Sequence, residues 1–198
     1  MQKVDFEILK GFFDSFEISD FSEELFNEFA ARAHVGLLKK GEVLNKSGEP
    51  WMNVGVVVKG LVRVYYRKNG KEVTEGFVTE GGLFSALPNT ISVESGSLLI
   101  EAEEDTTYYS MSYTDVESMC CKFPLSFDYF YEKGLLATIK SLMLYTEILQ
   151  LESADDKYEH FCNLYPTVVL RAPSIHIASC LGMTPETLSR VRSRVRRK

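Results

Sequence analysis

The spacing of turn residues between positions 35 and 112 constrains the fold of this chain more than any other feature. Short apolar runs alternate there with turn signals, which include the glycines at 41, 48, 60, 70 and 81. A turn every ~8–12 residues is typical of an antiparallel sandwich or barrel. Leu61–Arg67 has the pattern of a strand, and Asn69-Gly70 behind it predicts a tight hairpin because both residues tolerate positive φ. We therefore expect the eight-stranded arrangement of a jelly roll.

Helices are predicted on both sides of this sheet region. Apolar residues recur at helical spacing over residues 1–33, where Ser22 caps the second of two short helices. After the strands, a capping box at Thr114–Glu117 opens a short helix that Pro124 interrupts. The jelly roll with its flanking helices should occupy residues 1–123.

A longer helix is predicted from about Leu125 to Leu151. Its apolar face is wider than a lone surface helix needs, so the face must be buried. Part of it can meet the jelly roll, and the remainder indicates the same helix of a second subunit. The residues expected to form this dimer helix, within residues 124–152, are Phe127, Leu135, Ile139, Leu142 and Met143.

The last segment, residues 153–198, ends in two short helices around a sharp turn. Ser174 is a candidate N-cap of the first helix, Gly182 ends it, and Thr184-Pro185 begins the second. At about 100° per residue, the second helix has one apolar face and one polar face. The apolar face contains Leu188, Val191 and Val195, and the polar face contains Glu186, Arg190, Ser193 and Arg197.

Two helices in this arrangement form a helix-turn-helix, whose second helix enters the major groove of DNA. Glu186 can accept from the amino group of cytosine, and Arg190 can bond O6 and N7 of guanine. A surface ion pair between these two residues is the alternative. Charge favours DNA, because residues 171–198 contain seven Lys or Arg and one acid while the whole chain has a net charge of −6.

The expected DNA contacts fall into two sets. Bases are read by Glu186, Thr187, Ser189 and Arg190. Phosphates are contacted by Thr184, Arg192, Arg194, Arg196 and Arg197.

Composition agrees with a globular chain of one ordinary domain and a small one. The 198 residues are 45% hydrophobic, and no segment reaches the ~18 uninterrupted apolar residues of a membrane span. We therefore expect a cytoplasmic protein with no membrane partner. Its four cysteines show no C-x-x-C spacing and are expected to be buried free thiols.

The order helix, jelly roll, long helix, helix-turn-helix resembles the cyclic-AMP receptor protein and fumarate–nitrate regulator (Crp/Fnr) superfamily over essentially the whole chain. The segments that carry the resemblance are KKGEVL at 39–44, KGLVRVYY at 59–66, GKEVT at 70–74 and IASCLGMTPETLSR at 177–190. The resemblance implies an α+β chain that acts as a homodimeric transcription regulator. It also implies double-stranded DNA, a second copy of the chain, RNA polymerase and a small-molecule effector as partners, and no cofactor.

The sequence departs from the cyclic-nucleotide-binding members at the ligand positions. Their Gly-Glu-Leu appears here as Phe84-Ser85-Ala86, and their arginine region as Glu94–Ser97. Residues 72–121 contain ten Asp or Glu and no Lys, Arg or His, so a cyclic phosphate would meet a repulsive field. We expect an effector other than cyclic AMP, at Gly81, Gly82, Phe84, Ser85 and Ser97. No cysteine precedes Cys120, which excludes the N-terminal iron–sulfur cluster of other members.

Two other functions are weighed against this one. The jelly roll could be only a scaffold, in a DNA-binding protein that is independent of ligand or regulated by a partner. A cupin-type metalloenzyme would need two or three histidines inside the barrel. The only histidines are His34, His160 and His176, none of them within the predicted strands. We therefore predict no enzymatic activity, no catalytic residue and no metal site.

Overall fold

The computed structural model describes residues 3–18, 20–45, 51–86 and 98–195. Its helices are α1 Phe6–Ser15, α2 Glu23–Arg32, α3 Tyr113–Lys122, α4 Tyr129–Gln150, α5 Ala154–Leu164, α6 Pro166–Arg171, α7 Ser174–Cys180 and α8 Pro185–Val195. Its strands are β1 His34–Leu38, β2 Trp51–Lys59, β3 Val62–Lys68, β4 Lys71–Val78, β5 Leu83–Ala86, β6 Leu99–Ala102 and β7 Thr106–Ser112.

The strands form two antiparallel sheets that face each other. The larger has the order β1-β7-β2-β5 and the smaller the order β4-β3-β6. This confirms the predicted jelly roll, and the hairpin at Asn69-Gly70 is confirmed by φ values of 52° and 69°. The described residues contain seven strands and an isolated bridge from Val43 to Glu101. The predicted turn at Gly48–Pro50 lies outside the described residues.

Aromatic rings fill much of the space between the sheets. Trp51 stacks on Phe84 with 5.5 Å between ring centroids, and Tyr108 meets both rings edge-on. Glycines make room for them: a Cβ on Gly36 would overlap the Tyr108 ring, and one on Gly55 would overlap the Phe84 ring. The two glycines are therefore required by close packing.

The N-terminal helices cover the outer face of the larger sheet. Ser22 caps α2 by accepting from the backbone N–H of Leu25 at 3.1 Å. Phe13 stacks on Phe130 with 4.4 Å between centroids, so α1 also packs against the start of α4. Tyr109 of β7 belongs to the same buried cluster. The aromatic stripe of the N-terminal segment is therefore packing.

Several predicted boundaries are wrong by a few residues. The cap of α3 is Ser112, not Thr114, because the Ser112 hydroxyl accepts from the N–H of Asp115. The long helix is regular only from Tyr129, since Pro124–Asp128 forms a π-helical turn. Ser174 lies inside α7 and Pro173 occupies the cap position.

The prediction also missed two features. One is α6, a short helix that Pro166 begins. The other is the place of His34, which was expected outside the strands but is the first residue of β1.

The described residues also bear on two other classes of protein, membrane-spanning proteins and metalloproteins. None of the helices in these ranges is both long and apolar enough to cross a membrane. In the same ranges, no three His, Cys, Asp or Glu side chains converge as a metal site would require. The four cysteines are free thiols, but only Cys180 is buried, whereas Cys121 is exposed.

We predict that Gly55→Ala destabilises the jelly roll, because the new methyl group would overlap the buried Phe84 ring and force it to move. The loss should be about 1–3 kcal/mol in urea unfolding. Gly76→Ala is the matched control, since a Cβ at Gly76 meets nothing within 4 Å. Equal stabilities of the two variants would contradict the packing described for the interior.

Candidate nucleic-acid interface

The turn between α7 and α8 depends on Gly182 and Thr184. Gly182 has φ of 64°, the left-handed region that favours glycine, and it follows the end of α7 directly. The Thr184 hydroxyl accepts from the N–H of Thr187 at 3.2 Å and so caps α8, with Pro185 as its first residue. Leu188 and Val191 are fully buried beneath α8. The predicted geometry of the second helix is confirmed.

The predicted base-reading residues lie on the opposite face of α8. Glu186, Ser189 and Arg190 are exposed, and Thr187 is half-buried. In the described structure Arg190 donates to the Thr187 hydroxyl at 3.3 Å rather than to Glu186. A hydrogen bond from Thr184 lowers the pKa of Glu186 and keeps its carboxylate charged. This face therefore presents both acceptors and donors to solvent.

The predicted phosphate-contacting residues already have partners within the chain. Arg192 donates to Tyr158 at 3.1 Å and also to Ser174, which ties α8 to α5 and α7. Arg194 donates to Asp155 at 2.9 Å. Thr184 is the helix cap, and Arg196 and Arg197 lie outside the described residues. Contacts of these residues with phosphate remain a prediction, in which Arg194 would have to leave Asp155.

The core of the C-terminal helices is completed by the jelly roll. Leu61, which precedes β3, is fully buried in one cluster with Phe161, Ile177 and Leu188. Phe77 of β4 meets Phe161 edge-on with 6.5 Å between centroids. The helix-turn-helix is therefore packed onto the smaller sheet of its own chain.

Polar contacts surround this apolar junction, and the sequence did not indicate them. Ser179 of α7 accepts from the N–H of Thr74 at 3.0 Å. His176 lies 2.6 Å from a carboxylate oxygen of Glu103, and Arg171 bridges Glu80 and Glu104. Carboxylates of the jelly roll thus hold Arg171 and His176 of the C-terminal domain.

Comparison with known proteins identifies the jelly roll. The family model described as the cyclic nucleotide-binding domain matches residues 35–122. The jelly roll is therefore similar to the domains of that family. No curated protein sequence matches the chain.

Solved structures extend the likeness over the helices. A mutant of CooA from Carboxydothermus hydrogenoformans matches with a TM-score of 0.67 and 22% identity, covering 99% of this chain and 87% of that one. A protein from Eubacterium rectale is described as a transcriptional regulator of the crp/fnr family. It matches with a TM-score of 0.64 and 17% identity, covering 87% of this chain and 82% of that one. CLP from Xanthomonas campestris is described as a c-di-GMP responsive global regulator. It matches with a TM-score of 0.64 and 13% identity, covering 88% of this chain and 92% of that one. The chain has the Crp/Fnr fold.

The effector positions expected in the cyclic nucleotide-binding domain are largely engaged within the chain. The N–H groups of Gly81 and Gly82 donate to Val57 O at 2.9 Å and Thr79 O at 3.0 Å. Phe84 is buried in the aromatic interior, and the Ser85 hydroxyl donates to the carbonyl of Asn53 at 2.9 Å. Ser97 lies outside the described residues. Neither backbone N–H near Gly81 is directed at a ligand, so binding at these positions stays a prediction.

Four of the five residues expected on the dimer helix face solvent. The exposed fractions are 43% for Leu135, 51% for Ile139, 54% for Leu142 and 61% for Met143. Phe127 corrects the prediction, because it lies in the π-helical turn and is buried in the core shared with α1 and α2. The unpaired apolar surface of α4 therefore begins about two turns after that residue.

We predict that the bridge from Arg171 stabilises the chain only above acid pH. The Arg171 hydrogen bonds hold the pKa of Glu80 at about 2, below its ordinary 4.5. A lowered carboxyl pKa contributes stability above the unfolded value and loses it as pH falls toward the folded value. Because the Glu80 side chain is 43% exposed, solvent screening limits the contribution to about 1 kcal/mol.

Calorimetric Tm values of the wild type and Arg171→Gln should therefore differ near pH 7 by about 2–4 °C. This difference in Tm should disappear as pH falls from about 4.5 toward about 2. Lys39→Gln removes a more exposed bridge, to Asp105 within the jelly roll, and serves as the control. A gap that is independent of pH would show that Arg171 acts through packing alone.

Proposed function

We propose that this chain is a sequence-specific, DNA-binding transcription regulator that works as a homodimer on an inverted-repeat operator. It acts in the cytoplasm and is not an enzyme. One observation carries the proposal: α8 buries Leu188 and Val191 and presents Glu186, Ser189 and Arg190 to solvent. Such a helix can lie in the major groove with its N-terminal side chains at base edges. The Crp/Fnr fold of the whole chain supports the same function.

Selection of bound duplexes from a random pool tests this function directly. Two copies of α8 related by a twofold axis should enrich half-sites about 34 Å apart, or one helical turn. A chain that enriched no sequence would not be a sequence-specific regulator. The enriched operator then serves as the cognate DNA in the measurements below.

We predict that Arg190→Ala weakens binding to the cognate operator by about 1–3 kcal/mol and relaxes the preference at one base pair of each half-site. Arg190 is exposed one turn into α8, where a guanidinium can reach a guanine edge. Arg194→Ala is the matched control. It should weaken cognate and random DNA alike and flatten the plot of log affinity against log salt by about one unit per lost phosphate contact.

Fluorescence anisotropy at several salt concentrations separates these two roles. Arg190 would be a phosphate clamp if its removal weakened random DNA as much as the operator and left the base preference intact. The proposed base readers would then be wrong, whereas DNA binding itself would stand.

We predict that Leu135→Glu with Ile139→Glu yields monomers in sedimentation velocity. Both side chains belong to the exposed apolar face of α4, and burying a charge in a dimer interface is costly. The control pair is Leu170→Glu with Ile175→Glu, which places the same charges on exposed apolar residues outside α4. A dimer that survives the first pair would place the subunit interface elsewhere.

An effector other than cyclic AMP fits the jelly roll best. Phe84 and Ser85 stand where cyclic-nucleotide-binding members have Gly-Glu, and residues 72–121 supply no cation for a phosphate. CLP, which shares the fold, is described as responsive to c-di-GMP. The alternative is a jelly roll that serves only as a scaffold. RNA polymerase is a further proposed partner, as expected for a regulator of transcription.

A further inference from the structure

A cavity of about 390 Å³ opens at one end of the jelly roll, between the starts of β1 and β2 and the end of β7. The strand register explains its position. His34 pairs with Ser110, and Asn53 pairs with Ser112, so polar side chains meet on the interior face at this end. The other end of the same face is closed by apolar residues that include Leu38 and Val57. The cavity is therefore the polar end of an otherwise apolar interior.

Polar groups in this cavity lack partners. Ser110 is only 8% exposed, yet within the described ranges its hydroxyl has no hydrogen-bond partner. The side chains of Asn53 and His34 likewise have none there. A buried polar group without a partner costs about 1–3 kcal/mol. The Ser110 hydroxyl lines the cavity and is therefore available to a ligand that enters it.

The charges at the mouth favour an uncharged ligand. Arg32 is the only Lys or Arg among the described lining residues, and it is bound to Glu28 and lies 3.9 Å from Asp115. Its positive charge is already balanced by two carboxylates. A phosphate or carboxylate entering here would find no unpaired Lys or Arg among the described lining residues, so little would compensate for its desolvation.

The size and the aromatic lining favour a flat ring. Trp51 and Tyr108 both line the cavity, with their ring planes 79° apart. Aromatic side chains bind flat heterocycles by stacking, worth about 1–3 kcal/mol for a nucleobase. The volume lies at the lower end of the ~300–1,000 Å³ of ligand pockets, which suits one ring system. Asn53 offers a donor beside an acceptor, as recognition of a heterocycle edge requires.

We propose that this cavity binds a small, uncharged heteroaromatic molecule whose edge carries a donor next to an acceptor, as adenosine and nicotinamide do. The ring lies against Trp51 and Tyr108, its edge meets Asn53, and further polar atoms meet Ser110 and His34. This site adjoins two of the expected effector positions, since Phe84 stacks on Trp51 and Ser85 donates to the carbonyl of Asn53, but neither Gly81 nor Gly82 lines it. It does not depend on DNA binding, so its failure would leave the proposed function untouched.

Trp51 makes the test direct, because it is the only tryptophan in the chain. Titration of the full chain with adenosine or nicotinamide should quench its fluorescence and raise the Tm. Cyclic AMP carries the same base as adenosine with an anionic phosphate, and it should bind at least about tenfold more weakly, a difference of ~1.4 kcal/mol.

Two hydroxyl deletions on β7 locate the binding. Ser110→Ala should weaken quenching by adenosine about tenfold, while the Tm of the free protein stays level or rises because an unsatisfied buried hydroxyl is lost. Thr107→Val is the matched control: it removes a hydroxyl from the opposite face of the same strand and should bind as the wild type does.

Three outcomes would overturn the proposal. Absence of quenching by both uncharged probes up to about 1 mM would make the cavity a solvent-filled opening. Equal binding of cyclic AMP would show that the site does not select against charge. Quenching that persists unchanged in Ser110→Ala would place the ligand outside this cavity.

Discussion

The burial of Leu61 among the C-terminal helices is the contact on which the arrangement of this molecule depends. Leu61 follows β2 and precedes β3, yet it belongs to the cluster that contains Ile177 and Leu188. Short helices such as α7 cannot bury their apolar faces alone, so their stability comes from tertiary packing. The second helix of the helix-turn-helix, α8, is consequently supported by a core that the jelly roll completes. A change in the jelly roll near β3 and β4 has a direct path to α8.

Electrostatics and packing act together at this junction. The acidic jelly roll uses Glu80 and Glu104 to hold Arg171, while Arg63 is buried with its guanidinium bonded to Glu72 and Glu101. Truncating one member of such a network leaves an unpaired buried charge, which costs more than the pair contributes. The excess of carboxylates therefore has a structural use, which is to pair with these two arginines.

The interior of the jelly roll is filled by side chains at one end and contains an open cavity at the other. Gly36 and Gly55 admit the rings of Tyr108 and Phe84 into the interior, and Leu38 and Val57 close its apolar end. The polar end stays open beside Ser110 and Asn53. The same fold that holds cyclic nucleotides in other proteins thus offers a cavity of different chemistry in this chain.

The sequence by itself determined the elements whose signals are local. The hairpin at Asn69-Gly70, the cap at Thr184 and the opposed faces of α8 follow from φ preferences and helical spacing, which neighbouring residues decide. The same local signals gave a wrong prediction for Ser174. Pro173 occupies the cap position of α7, and the Ser174 hydroxyl accepts a hydrogen bond from Arg192. Only the tertiary structure decided that Phe127 is core and that Arg171 reaches Glu80. It also decided that His34 and Ser110, 76 residues apart in the chain, share one cavity. These pairings depend on strand register and domain packing, which join residues that no short stretch of sequence relates.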